Sequence, residues 1–275
     1  MKYKLLCLDM DGTLLNKENS ISERNKSAIK RASQKGVKVA ISTGRVFTSA
    51  YYYSDILGIK TPIIASNGAY LREKDRDEVI YKNVLSIDQC RKIASILKAN
   101  DLYFHFNTTT AILTAKLLYS SEFYAKANKS LPDNMKIKIN VIDDWEKTFE
   151  QNDGEIVKCI AIDDDNVKLN KVKDEIINLG DFEVVSSWNN NFEIMNKGAS
   201  KGHAVQVLAN YYDIDKESII CIGDSENDLP MIKYAGLGIA MGNAPDYVKN
   251  QADYVTDTNS EHGVAKAIEK FILNE

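Results

Sequence analysis

Two acidic turns hold the residues best suited to chemistry. Asp9-Met10-Asp11-Gly12-Thr13 follows the apolar run 5–8, and Gly223-Asp224-Ser225-Glu226-Asn227-Asp228 follows the apolar run 219–222. Carboxylates at i and i+2 can divide labour: one attacks an electrophile while the other donates and later accepts a proton, which splits one hard step into two. A D-x-D-G segment is also an ordinary Asx-type turn, so the first motif alone leaves both readings open. A second acidic turn at the end of another apolar strand is harder to dismiss. Four aspartates crowded together without a cation would cost several kcal/mol of repulsion. Magnesium prefers oxygen ligands and commonly takes one or two carboxylates plus a substrate phosphate, a description that Asp9 and Asp224 fit.

Two further features suit an anionic ligand. Ser42-Thr43-Gly44-Arg45 ends a second apolar strand, where the Thr43 hydroxyl and the Gly44 N–H can donate to phosphate oxygens near a helix start. Lys201 follows Ser200 in the first turn of a later helix and offers a compact positive charge. Each has an ordinary alternative as a turn or a solvated lysine. Arg45 and Asn67 also follow strands and are candidates for contacting a substrate beyond its phosphate. His105, His203 and His262 are scattered and read as packing or surface residues. Trp188 with Asn189-Asn190-Asn191 reads as a hinge carrying a packed aromatic.

The elements that must position these residues alternate. A strand over 5–8 is followed by a helix with Ser22 as N-cap and Gly36 at its end. Then come a strand over 37–41, a helix stopping at Gly58, and a strand over 63–65 running into Ser66-Asn67-Gly68. Such alternation implies a parallel sheet covered on both faces, with ligands at the carboxyl ends of its strands. The middle of the chain reads differently. After a charged turn over 72–78, the spacing predicts helices from about Ser86, near 116–127 and near 167–179. Strands are expected over 103–106, 136–141, 157–162 and 183–187. This is an inserted α+β domain, residues 83–191, within a core formed by 1–82 and 192–275.

The composition excludes several classes. The chain has 275 residues, 44% hydrophobic and 27% charged, with a net charge of −4. That is a globular composition, without a basic stripe for nucleic acid or an apolar run long enough for a membrane span. With Asp9 and Asp11 where a secretory apolar region would lie, a cytoplasmic location is expected. Cys7, Cys90, Cys159 and Cys221 are widely spaced and read as buried free thiols.

Taken in order, D-x-D-G-T, S-T-G-R, a lysine in S-K-G and G-D-x-x-N-D resemble the four motifs of the haloacid dehalogenase (HAD) superfamily. The position of the insertion, Ser66-Asn67-Gly68-Ala69, Asp228-Leu229-Pro230-Met231 and Met241-Gly242-Asn243-Ala244 are similar to its Cof-type branch, which has a large C2B-type cap. The resemblance implies a Rossmann-like α/β core and an α+β cap that closes over the site and sets substrate choice. It implies a magnesium-dependent phosphatase with Asp9 as nucleophile and metal ligand, and Asp11 as acid/base that also lends the metal its backbone carbonyl. Asp224 completes the metal ligands. The Met10 backbone, Thr43, Gly44, Lys201 and Asn227 hold phosphate, and Asp228 positions Lys201 or a metal-bound water. The expected substrate is a small phosphorylated metabolite, either a sugar phosphate or a phosphorylated cofactor such as FMN or pyridoxal phosphate. A sugar-phosphate mutase or phosphotransferase, and a noncatalytic phosphometabolite sensor, share enough of these residues to stay open.

Overall fold

The structure is a computed structural model that describes residues 2–74 and 78–275. Its strands, in chain order, are β1 Leu5–Leu8, β2 Lys38–Ser42, β3 Ile63–Ala65, β4 Tyr70–Arg72, β5 Val79–Lys82, β6 Tyr103–Thr108, β7 Ala111–Thr114, β8 Lys138–Val141, β9 Ile156–Ile162, β10 Phe182–Val185, β11 Asn191–Asn196, β12 Ile219–Gly223, β13 Leu237–Ala240 and β14 Tyr254–Val255. The chain divides into two compact units. Residues up to Gly44, Ala50–Tyr81 and Ser200–Glu275 form one; Arg45–Ser49 and Lys82–Ala199 form the other.

The first unit is an α/β domain of Rossmann-like character. Among the described residues its sheet runs β14-β13-β12-β1-β2-β3-β4-β5, parallel from β14 through β3, with β4 antiparallel to β3. β1 and β12 are buried throughout, as parallel strands covered on both faces must be. β1 pairs β2 on one side and β12 on the other, so the strand order reverses there, and a parallel sheet opens a crevice at such a point. Leu8 lies level with both Ile41 and Ile222, so the segments after all three strands leave the sheet at the same edge. The helix Glu23–Gln34 is capped by Ser22, whose side chain accepts the Asn25 N–H, and its buried face carries Ala28, Ile29 and Ala32. Residues 75–77, within the charged turn expected over 72–78, lie outside the described residues.

The second unit is α+β. Its sheet, β10-β11-β9-β6-β7-β8, is antiparallel except where β7 meets β8. One face carries Phe104, Phe106, Cys159, Ala161, Phe192 and Ile194 against apolar residues of the helices Ile87–Ala99, Trp145–Gln151 and Asn166–Asn178. The sequence reading did not anticipate β7, β11 or the helix Trp145–Gln151. The unit extends to Ala199 rather than stopping near 191, because β11 pairs with both β9 and β10. Trp188 is 70% exposed, so the expectation of a packed aromatic is corrected: Asn191, not the indole, organises the turn by accepting the Ser187 and Trp188 N–H groups. All four cysteines are free and buried. No helix among the described residues is long and apolar enough to cross a membrane.

Candidate active site

Asp9 is the first residue beyond β1, and its N–H continues the sheet by donating to the Ile222 carbonyl at 3.0 Å. The chain then turns through Gly12, whose φ of +81° belongs to the left-handed region. A Cβ at Gly12 would also sit 2.4 Å from Asp224 Oδ2, so conformation and close approach both call for glycine. Thr13 is fully buried and donates its hydroxyl to Asp224 Oδ1 at 2.8 Å, which ties the two acidic turns together.

Lys201 opens the helix Lys201–Tyr211, capped by Ser200 through the His203 N–H. Burial opposes its ammonium charge, and so does its place at the positive end of a helix dipole. The side chain is nevertheless only 1% exposed, held between Asp9 Oδ1 and Asp228 Oδ1, each at 2.6 Å. Those two carboxylates outweigh the burial and raise the lysine above its ordinary range. Asp228 is fully committed: its other oxygen accepts the Asp224 and Ser225 N–H groups at 2.9 and 3.0 Å. Gly223 makes this possible, since a Cβ there would fall 2.5 Å from Asp228 Cβ.

Oxygens of Asp9, Asp224 and Asp228 lie within 4.8 Å of one another. Burial, then the facing Asp228, push the Asp9 carboxyl well above the usual carboxylate range, more than Lys201 draws it down. The same two causes push Asp224 up to about 6. One buried lysine therefore does not balance the aspartates, and the cluster suits a hard cation with oxygen ligands. Asp228 bonds Lys201 and two backbone N–H groups, while Asp224 meets the Thr13 and Ser225 hydroxyls, so Asp9 and Asp224 are the side chains that could hold one. The Asp11 side chain is not in this trio and is half-buried, in a turn whose backbone bridges back at Leu15.

The remaining candidates gather in part. Met10 is buried, with its carbonyl accepting the Leu15 N–H at 2.9 Å. Thr43 is buried at the end of β2, its carbonyl accepting the Asn67 N–H at 3.0 Å; Gly44 beside it is half-buried. Asn67 takes a left-handed φ of 56° and accepts the Asn227 side-chain N–H at 3.1 Å. Asn227 Oδ1 is buried without a hydrogen-bond partner among the described residues, a polar atom of the kind that a ligand satisfies. Arg45 groups with the second unit, where its guanidinium reaches Ser49 Oγ at 3.3 Å. The sequence reading missed the part Thr13 and Ser225 play in holding Asp224, and the contacts of Asn243 and Asn259. Asn243 stands in a motif already quoted, whereas no local signal marks Asn259.

Parallel-sheet topology, a crevice at the reversal of strand order and an acidic cluster around one buried lysine define a class of phosphoryl-handling hydrolases. A family model for haloacid dehalogenase-like hydrolases matches residues 6–268. The chain belongs to that family, in its Cof-type branch, as a phosphatase. It is 34% identical over 271 residues to the 5-amino-6-(5-phospho-D-ribitylamino)uracil phosphatase YcsE of Bacillus subtilis, covering 98% of this chain and 96% of the relative. A second phosphatase of that printed name, YwtE of the same organism, is 33% identical over 287 residues, covering 99% of each. A solved haloacid dehalogenase-like hydrolase from B. subtilis superimposes with a TM-score of 0.87 at 30% identity, over 98% of this chain and all of that one.

Proposed function

We propose that the protein hydrolyses a small phosphate monoester in two steps through a phosphoryl group carried on Asp9, with magnesium as the divalent cation. The observation that carries this reading is the Lys201 ammonium, buried and bonded to Asp9 and Asp228 at 2.6 Å, in a cluster that remains short of positive charge. When bound between Asp9 and Asp224, the cation would supply charge neutralisation for the transferred group. The protein's own residues do the rest. Lys201 orients one Asp9 oxygen, leaving the other to form the bond to phosphorus. Asp11 gives its proton to the departing ester oxygen as the P–O bond breaks. The Asp11 carboxylate then takes a proton from the water that attacks phosphorus, inorganic phosphate leaves, and Asp9 is restored. Thr43, Gly44, Asn227 and the Met10 backbone are the proposed donors to the phosphate, and Asp228 holds Lys201.

The relatives named for 5-amino-6-(5-phospho-D-ribitylamino)uracil make a primary phosphate on a polyol chain, attached to a nitrogen heterocycle, the leading substrate class. Phosphorylated cofactors and sugar phosphates follow. Substrate choice is assigned to the second unit, and exchanging that unit for a relative's should carry the preference with it.

The decisive test contrasts Asp9→Asn with Asp11→Asn. With an aryl phosphate, whose leaving group needs no protonation, Asp11→Asn should phosphorylate Asp9 and hydrolyse the product slowly. A hydroxylamine-labile mass increase of about 80 Da on the peptide containing Asp9 follows from the added phosphoryl group. Asp9→Asn should form no such species. A label elsewhere, or none in Asp11→Asn, would overturn the mechanism; transfer to a sugar in place of phosphate release would indicate a mutase.

A further inference from the structure

The loop after β1 turns back on itself at Leu15. Thr13 N–H to the Met10 carbonyl and Leu14 N–H to the Asp9 carbonyl both span 3.3 Å, at the long end of the range, and Leu15 N–H to the Met10 carbonyl spans 2.9 Å. Two asparagines from distant loops meet two of its carbonyls. Asn243, beyond β13, donates its side-chain N–H to the Gly12 carbonyl at 2.8 Å, while its Oδ1 accepts the Asn259 backbone N–H at 3.0 Å. Asn259, beyond β14, donates its side-chain N–H to the Leu15 carbonyl at 2.8 Å. The loops that carry them are themselves anchored: Met241 N–H donates to the Gly223 carbonyl and Gly242 N–H to the Asp257 carbonyl. Because β14, β13, β12 and β1 are neighbouring parallel strands, these loops emerge on the same edge of the sheet.

We propose that Asn243 and Asn259 are positioning residues, which brace the Asp9–Leu15 loop so that Asp9, Asp11 and Asp224 keep their relative places. Gly12 is the point of leverage. Its carbonyl belongs to the peptide after the one that carries the Asp11 carbonyl, and its Cα faces Asp224 closely enough to exclude a methyl group. Holding the Gly12 carbonyl therefore fixes the peptide next to the acid/base and the surface against which Asp224 rests. Asn243 is largely exposed, so its amide contributes little to the hydrophobic core. The use of both ends of that amide points to orientation as its role. This inference rests on the assignment of Asp9 and Asp11 above.

Asn243→Asp keeps the shape and the acceptor for Asn259 N–H but removes the donor to Gly12; Asn243→Ala removes both and adds no charge. Each should lower kcat about 10- to 100-fold at saturating magnesium and substrate, with KM changed less than about threefold, the scale expected when reacting groups are misplaced by an ångström. Asn259→Asp should give a smaller loss of the same kind. Hydrogen exchange of the peptide spanning 9–15, followed in metal-free protein, should accelerate in all three variants while the melting temperature moves little. That exchange readout does not depend on the phosphatase mechanism, so a failed mechanism and a failed brace are told apart. Unchanged exchange with kcat within twofold of wild type would overturn the proposal. So would a loss confined to Asn243→Asp, which would assign the effect to the added charge, or a loss fully accounted for by unfolding.

Discussion

Each unit buries a lysine against carboxylates, and the two arrangements differ in their balance of charge. In the first unit Lys201 faces Asp9 and Asp228, with Asp224 beside them and Asn227 Oδ1 unpartnered among the described residues. In the second, Lys158 of β9, 1% exposed, pairs with Glu193 of β11, whose other oxygen accepts the Ser187 hydroxyl at 2.5 Å. His105 on β6, fully buried, bonds Asn107 through Nδ1 at 3.0 Å and Ser120 through Nε2 at 2.8 Å. Burial, then the charge of Lys158, lower its pKa to about 4, so the ring is neutral beside the Lys158–Glu193 pair. A buried pair of one cation and one anion is matched and helps specify a packing, whereas a cluster with more anions than cations is a place for a ligand to supply what is missing. Burial of a charge is therefore weak evidence of function, and imbalance is stronger.

The largest effect expected from this contrast is kinetic. Asp9→Asn should reduce steady-state turnover by about 10⁴-fold or more, since its amide is a poor nucleophile. Excess chelator should abolish wild-type activity and added magnesium restore it; full activity in chelator would break the assignment of the unbalanced cluster to a cation.

Next in size is the closed pair. Lys158→Met takes the ammonium away from buried Glu193 and should cost about 3–5 kcal/mol in denaturant unfolding, whereas Lys158→Met with Glu193→Leu should recover most of that. Magnesium should rescue neither the single nor the double variant. A magnesium-dependent recovery would erase the distinction drawn between the two networks.

His105 supplies a pH test. Its pKa of about 4 lies below the unfolded value near 6.5, so its contribution is fully present above pH 6.5 and is lost as pH falls from there through 4. The loss should approach about 3 kcal/mol, and His105→Gln should flatten the slope of unfolding free energy against pH in that window. An unchanged slope would remove His105 as its source.

The smallest effect has the most telling sign. Because burial first and Asp228 second push Asp9 well above its ordinary range, removing its charge relieves both, and Asp9→Asn should stabilise the metal-free protein by about 1–2 kcal/mol. Glu193→Gln, in the balanced network, should destabilise. Thermal unfolding without metal measures both, and a common sign would show that charge balance does not separate the two sites.

The placement of much of the candidate site was legible in the sequence because its parts are local. Asp9, Thr43 and Asp224 each stand within two residues of the end of a buried apolar strand, and strand-end spacing survives in one dimension. β11 was illegible for the opposite reason. Asn-Phe-Glu-Ile-Met-Asn places polar residues on positions that only pairing with β9 and β10 turns inward, and β7 is four residues long. The helix Trp145–Gln151 is also short, and its place is set by Trp145 and Phe149 meeting Phe104 and Phe106 from β6.

By itself the sequence determined the core's strand-and-helix alternation, the residue types at its strand ends and the family to which they belong. Periodicity and turn chemistry act over a few residues, so they can be read before folding. Only the tertiary structure decided the partners of the buried charges and of Asn243. Lys201 and Asp9 are 192 positions apart, Lys158 and Glu193 are 35 apart, and Asn243 and Gly12 are 231 apart. A charge can remain in a low-dielectric interior only where opposite charge or hydrogen bonds meet it, and chain topology alone brings those groups together.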